Sequence, residues 1–341
     1  MTAPLIEANR FKVITEKFKN LDPVFVLGDV GLDKYTFGTV GRISPEAPVP
    51  VLRVTKEWEK LGLAANISHN LKTLNVDSTL CGMAGDDKFA DQLDNLLEEC
   101  ELKTWGMVRV PGRMTTYKER ATTAAQQICR IDYESTEEIT KDVCDKFKKR
   151  IDDLIEGHSA LIIEDYSKGL LNEELVQHSI SKAKEKNILV TVDPGRNSDP
   201  LIYRGADLLK PNLAESMLMI EALGFSGSTK NIKEMGEILL DKLNLKQVII
   251  TLGAEGMALL SKDDMDLKRI PTVAPEVFDV SGAGDTSITL LTIALKSGAS
   301  LEEAAWIGNC GAGVVVGKRG TATVDLQELT DFYQRLQARY K

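Results

Sequence analysis

The chain has 341 residues, of which 43% are hydrophobic and 27% charged, with a formal net charge of −9. That length suits one large α/β domain or two smaller ones, and an acidic chain with no basic tract argues against nucleic acid or an anionic membrane surface as a main partner. Five scattered cysteines without a CxxC, and three histidines without ligand spacing, argue for reduced thiols in a cytoplasm and against a disulfide frame or a zinc site; there is no signal-peptide core and no apolar run of membrane-span length.

Residues 1–22 read as an amphipathic leader helix packed on the outside of one domain, 23–335. Val24-Phe25-Val26-Leu27-Gly28-Asp29 is a buried strand ending in a carboxylate. Ligands of open α/β sheets bind beyond the carboxyl ends of strands, so Asp29 and Asp33 are placed to meet one. Equally, Asp29 could cap a turn and Asp33 could be a solvated loop charge. Tyr35–Gly38 and Val49–Val54 are strand-like, with the Pro-rich Ser44–Pro48 between them. Together with Thr115–Ala121 and Gln127–Asp132 they make a small separate sheet, an inserted lid over about 34–58 and 112–133.

Gly62-Leu63-Ala64-Ala65-Asn66 opens a helix to about Leu74, either for tight packing or with Asn66 on a ligand hydroxyl. Strand Ser78–Met83, helix Asp86–Glu99 and strand Lys103–Val110 follow. From residue 140 the alternation is regular: helix 140–155, strand Ala160–Ile163, helix 171–186, strand Ile188–Val192, strand Asp207–Leu209, helix 213–222, helix 231–244, strand Gln247–Leu252. A hairpin near Met257–Leu260 and Leu267–Pro271 precedes two final helices, 283–298 and 300–316. This rhythm predicts a mostly parallel central sheet covered by helices on both faces.

Five consecutive strand ends carry polar or glycine clusters. They include Asp165 and Lys168, then Asp193-Pro194-Gly195-Arg196, then Lys210-Pro211-Asn212 with Glu215, then Thr251-Leu252-Gly253-Ala254-Glu255-Gly256. Asn212 and Glu215 have the form of a capping box, which alone would explain them. A ligand lying along one sheet edge explains the whole set better. The segment Ile270–Val277 leads into Asp279-Val280-Ser281-Gly282-Ala283-Gly284-Asp285, where a loop becomes a helix. Free N–H groups and the helix dipole suit a phosphate there, and small residues let it approach. Taken alone the motif reads as a capped helix with Gly for close packing; with the other strand ends, Asp285 beside an anion makes sense as the group that takes a proton from an attacking hydroxyl. No G-x-x-x-x-G-K-[ST], no G-x-G-x-x-G after the first strand and no G-x-S-x-G elbow is present.

Together these residues resemble the ribokinase-like sugar kinases, also called the phosphofructokinase-B family, over roughly residues 22–330. Within it the likeness is closest to the D-glycero-β-D-manno-heptose 7-phosphate kinases. It is carried by Gly28-Asp29-Val30-x-Leu32-Asp33-x-Tyr35, Arg42–Val51, Gln126-Gln127-x-x-Arg130-x-Asp132, Asp165-Tyr166-x-Lys168-Gly169 and Val315–Lys318. The resemblance implies a three-layer α/β sandwich with a β lid, and a cytoplasmic enzyme that phosphorylates O1 of the heptose phosphate with ATP and Mg²⁺ for lipopolysaccharide-core or similar nucleotide-sugar synthesis. Alternatives are another sugar or sugar phosphate, or a sensor that kept the fold.

The resemblance makes Asp285 the base, and the N–H groups of Gly282, Ala283 and Gly284 the anion hole. Asn212 and Glu215 would position Mg²⁺ through water. Thr251, Gly253 and Gly256 would border the ATP phosphates and ribose, with Asn309 near the adenine. Asp29, Asp33, Gly62, Asn66 and Asp165 would serve the sugar. Lys118 and Arg120 would meet the distal phosphate or else be solvated lid cations. A monovalent cation, K⁺, would sit near Asp279. Relatives often dimerise through the lid, so a homodimer is expected. Three departures fall near the expected substrate or nucleotide: Leu63 for a usual second glycine, Gly195-Arg196 where lysine is usual at the first position, and Ala124-Ala125. With the chain ending at Lys341, only the phosphorylation is expected of it, without the nucleotidyl-transferring domain of many relatives.

Overall fold

The computed structural model describes residues 5–225, 231–274 and 278–340. Residues 1–4 of the expected leader helix and 275–277 of the segment before the glycine motif lie outside the described residues. The strands are β1 (Val24–Gly28), β2 (Val30–Ile43), β3 (Pro50–Leu63), β4 (Ser78–Cys81), β5 (Met83–Ala84), β6 (Val108–Arg109), β7 (Thr116–Thr122), β8 (Gln127–Tyr133), β9 (Ala160–Glu164), β10 (Leu189–Asp193), β11 (Leu208–Leu209), β12 (Gln247–Thr251), β13 (Met257–Ser261) and β14 (Lys268–Ile270). The helices are α1 (Ala8–Glu16), α2 (Ala64–Thr73), α3 (Lys88–Glu99), α4 (Lys141–Leu154), α5 (Glu173–Glu185), α6 (Leu213–Ala222), α7 (Ile232–Lys242), α8 (Ala283–Lys296), α9 (Leu301–Val315) and α10 (Leu326–Tyr340).

The main sheet runs β14-β13-β12-β11-β10-β9-β1-β4. Its strands are parallel from β4 to β12, and β13 and β14 turn back antiparallel. Apolar residues on both faces of its central strands require cover on both sides. Val24, Val26, Ala160, Ile162 and Ile249 pack under α1, α2, α8, α9 and α10. Their alternates Phe25, Leu27, Leu161, Ile163 and Ile250 pack under α4, α5, α6 and α7. The three-layer sandwich follows from that alternation.

The lid is a second sheet, β3-β2-β7-β8. A long hairpin, β2 with β3, lies alongside β7, which runs parallel to β2 and antiparallel to β8. Its strands begin and end deeper in the molecule than the sequence suggests. Only Asp29 separates β1 from β2, so one extended segment passes from the main sheet into the lid.

Three expectations change. The leader helix is confined to Ala8–Glu16 and gives way to a 3-10 turn at Phe18–Asn20. Strand Lys103–Val110 is broken by a turn closed between the Thr104 carbonyl and the Met107 N–H at 2.9 Å; Lys103 makes a lone bridge to Thr79 and only Val108–Arg109 pairs, with Met83–Ala84. The helix 300–316 is not the last: α10 follows, and its Tyr333 stacks on Phe11 of α1 with ring centroids 4.0 Å apart.

Candidate active site

The parallel strands deliver their polar ends to one edge, and the N-terminus of α8 arrives there. Gly282 is the residue before that helix and adopts φ 81°. A side chain at this position would be strained and would meet Asn66 Nδ2 at 2.9 Å. The Ala283 N–H donates to the Val280 carbonyl at 3.2 Å. Of the three expected anion-hole donors, Gly282 and Gly284 therefore keep N–H groups with no backbone acceptor among the described residues.

Asp285 lies in the first turn of α8 and is buried. Its Oδ2 accepts the side-chain amide of Asn66 at 2.7 Å and its Oδ1 accepts the Tyr166 hydroxyl at 2.8 Å. Burial raises its pKa to about 6, with the charge of Asp193 adding to the rise and the two hydrogen bonds opposing it. A carboxylate of that basicity is ionised near neutrality and is a better proton acceptor than a solvated aspartate.

Beside it, Lys210 Nζ and Asp193 Oδ2 form a buried ion pair at 2.7 Å. Glu164 is buried next to them, with Oε2 unpartnered. Burial first, then the charges of Asp193 and Asp285, hold its carboxyl well above the usual range. A cavity of about 610 Å³ is lined by Glu164, Tyr166, Asp193, Lys210, Glu215 and Gly284 among others. A second, more apolar cavity of about 450 Å³ is lined by Gly253, Ala254, Gly256, Met257, Asn309 and Val316. The two share Lys210, Thr251, Val280 and Gly284.

Thr251, Gly253, Gly256 and Asn309 line that second chamber, where the nucleotide was expected, and Asn309 Nδ2 is anchored on the Pro271 carbonyl at 2.8 Å. Asn212 and Glu215 line the polar cavity, yet they do form the capping box, with bonds of 2.9 and 2.8 Å. Asp33, Gly62, Lys118 and Arg120 gather at the base of the lid. Asp33 accepts Arg120 Nη1 at 2.6 Å and the Thr321 hydroxyl at 2.5 Å, and a Cβ on Gly62 would lie 2.9 Å from Asp33 Oδ2. Lys118 Nζ lies 5.1 Å from the centre of the Tyr166 ring and makes no ion pair among the described residues.

Several of the expected sugar ligands also hold the protein itself together, although Asp29 keeps Oδ1 buried and without a partner among the described residues. Asp29 Oδ2 accepts the N–H groups of Tyr166 and Lys168, both at 3.0 Å, so it holds the loop after β9. Asp165 lines the polar cavity, but its oxygens accept the Ser167 N–H at 2.6 Å, the Ser198 hydroxyl at 2.6 Å and the Tyr203 hydroxyl at 2.5 Å. Asn66 is spent on Asp285. Asp279 staples two loops, accepting the Ser281 N–H at 2.9 Å and the Gly320 N–H at 3.0 Å. Asp285 itself stands just behind the cavity wall formed by Gly284 and Tyr166.

Of the departures, Leu63 is buried with φ 58° and ψ −140°, a conformation suited to glycine. A Cβ on Gly195 would come within 2.7 Å of Asp165, Ser167 and Ser198, so no lysine fits there; the neighbouring Arg196 lines the cavity. Tyr166, Glu164, Asp193 and Lys210 were not assigned roles from the sequence. The available signal was position, since each stands at or just after a strand end.

The model of the pfkB family of carbohydrate kinases matches residues 43–328. The bifunctional protein HldE of Histophilus somni is 41% identical over 310 residues, 91% of this chain and 63% of that protein. The protein of the same name from Sulfurimonas denitrificans is 40% identical over 91% of this chain and 64% of that protein. The chain thus spans less than two thirds of the length of these relatives. Among solved structures, phosphofructokinase-2 of Escherichia coli in complex with potassium matches with a TM-score of 0.73 at 19% identity, covering 93% of this chain and 100% of that one. Ribokinase of Thermotoga maritima matches with a TM-score of 0.70 at 21% identity, over 92% and 100% of the two chains. These structures share the fold.

Proposed function

The chain belongs to the pfkB family of carbohydrate kinases, phosphotransferases acting on a sugar hydroxyl, and from that premise we propose that it transfers the γ-phosphoryl of ATP to O1 of D-glycero-D-manno-heptose 7-phosphate, giving the 1,7-bisphosphate. The observation that carries the reading is Asp285, held at the tip of α8 by Asn66 and Tyr166 beside a polar cavity that shares four lining residues with an apolar one. The acceptor hydroxyl gives its proton to Asp285 as its oxygen bonds to the γ-phosphorus. The bond from that phosphorus to the β–γ bridging oxygen breaks, and ADP leaves with the electron pair. Charge that develops on the transferring group meets the N–H groups of Gly282 and Gly284 and the ammonium of Lys210. A positioned general base contributes about 10²–10⁴-fold.

Mg²⁺ would come with the nucleotide and neutralise phosphate charge when bound. No group of three His, Cys, Asp or Glu among the described residues makes a metal cage, and the capping box occupies only one oxygen of Glu215. This donor set suits a water-mediated ion held by Glu215 and Asn212. K⁺ near Asp279 would draw on backbone carbonyls and on the lone pairs the carboxylate keeps after accepting one N–H group on each oxygen. The unpaired Lys118 suits the distal phosphate better than Arg120, which Asp33 engages. A homodimer through the lid is part of the same reading, supported by exposed Val40, Ile43, Val54 and Ile131 on its strands. So is a cytoplasmic setting, supported by five free cysteines.

A second reading, a kinase of this family for another sugar phosphate, is favoured by Gly195 and Arg196 replacing the expected lysine. ADP release from Mg-ATP with a panel of sugars and sugar phosphates separates the two. Turnover confined to the heptose 7-phosphate supports the first reading, turnover with a different sugar supports the second, and binding without turnover sinks both in favour of a sensor. Asp285→Asn should lose turnover while keeping ATP binding.

A further inference from the structure

Tyr166 makes three contacts, of which the reaction above draws on the first alone. Its hydroxyl donates to Asp285 Oδ1 at 2.8 Å. Its ring carries the ammonium of Lys118, from lid strand β7, 5.1 Å from its centre. Its backbone N–H is fixed by Asp29 Oδ2 at 3.0 Å. The ring lines the polar cavity, while Asp285 stands behind it. The phenol therefore occupies the base oxygen that lies toward the cavity wall, and Asn66 occupies the other.

We propose that Tyr166 is a positioning residue: its hydroxyl orients the Asp285 carboxylate, the Lys118 ammonium holds the phenol ring in place, and the acceptor hydroxyl meets a carboxylate lone pair that the phenol and Asn66 leave free. This rests on the kinase reading for its meaning, but not for its measurement. A carboxylate with a donor on each oxygen has its rotamer fixed and still has lone pairs for a third donor. A phenol donating to the charged form also favours that form, and a lid cation over the ring is attracted to its face. The hydrogen bond thus connects the lid to the base through one side chain.

The groups facing Asp285 are Asn66 of α2, Glu164 at the end of β9, Tyr166 just after it, Asp193 at the end of β10 and Lys210 after β11. Replacing Tyr166 by Phe removes one oxygen and leaves the others in place.

The test is a carboxyl ¹³C NMR titration of the full chain labelled at aspartate, with the Asp285 signal assigned by its loss in Asp285→Asn. The Asp285 midpoint, about 6 in the parent, should rise by about one unit in Tyr166→Phe, as expected for losing a hydrogen bond to a charged group. Lys118→Met should move it the same way by less. Should the Phe variant fail to fold, 3-fluorotyrosine incorporated into the parent chain supplies a stronger donor and should lower the midpoint. An unchanged midpoint in Tyr166→Phe, or in the fluorotyrosine protein if that is the one measured, overturns the proposal. The titration needs no acceptor, so absence of sugar kinase activity would be seen separately in the ADP assay. With an acceptor that turns over, Tyr166→Phe should lower kcat about tenfold and leave the KM for ATP unchanged, whereas a purely structural role would leave the pH profile where it is.

Discussion

Arg120 and Asp33 meet at 2.6 Å across the parallel pair β2 and β7, with side chains only 13% and 9% exposed. Removing one partner of such a pair leaves a buried charge uncompensated, at a cost of about 3–5 kcal/mol. Arg120→Met should therefore lower the stability read by urea unfolding by an amount of that order. The Thr321 hydroxyl, which also donates to Asp33, should keep the loss toward the lower end. The double variant Arg120→Met with Asp33→Asn should recover part of it.

Leu63 offers a reversal of the usual order of truncation. It is buried, so Leu63→Ala should destabilise by about 2–5 kcal/mol. Its φ of 58° and ψ of −140° cost about 1–3 kcal/mol for a residue with a side chain. Glycine removes that strain and alanine does not. Leu63→Gly should therefore be the more stable of the two in thermal unfolding, although glycine is normally the worse substitute.

The pH dependence of Asp285 has two opposite signs. Activity needs the ionised carboxylate, so kcat should rise tenfold per pH unit below about 6 and level off above it. Stability runs the other way. A carboxyl whose folded pKa lies above its unfolded value holds a proton in the folded state through a window where the unfolded chain has lost it. Stability therefore falls as pH rises from about 4 to about 6 and stays lower above, by roughly 3 kcal/mol for a rise of about two units. Asp285→Asn should abolish that share of the slope. Its melting temperature, relative to the parent, should be higher at pH 7 than at pH 4.5.

Gly195 and Arg196 divide a structural from a functional role. Gly195→Ala should destabilise, because its Cβ has no room beside Asp165, Ser167 and Ser198. Arg196→Ala, on the exposed side of the polar cavity, should leave unfolding unchanged and raise the KM of a phosphorylated substrate in the ADP assay.

The sheet, both helical layers and the lid could be read from the sequence because burial on two faces leaves a continuous apolar run, while half-buried strands carry prolines and alternation. The carboxylates were harder. Asp29 and Asp165 follow strands as a ligand-binding aspartate would; Asp165 accepts a backbone N–H and two hydroxyls, while Asp29 spends Oδ2 on two N–H groups and leaves Oδ1 without a partner among the described residues. Spacing alone does not report which partner an oxygen takes. Helix α10 was missed because its polar face dominates Leu326–Tyr340, and its purpose, to cover Phe11 and its neighbours, is visible only in three dimensions. The conformation of Leu63 was missed for the same reason.

The passage from β1 to β2 through the single residue Asp29 has a mechanical consequence. A ribbon with no slack at the join passes any tilt of its outer half straight to that residue, whose carboxylate grips the amides of Tyr166 and Lys168. A displacement of the cover would thereby reach the very turn that carries the phenol.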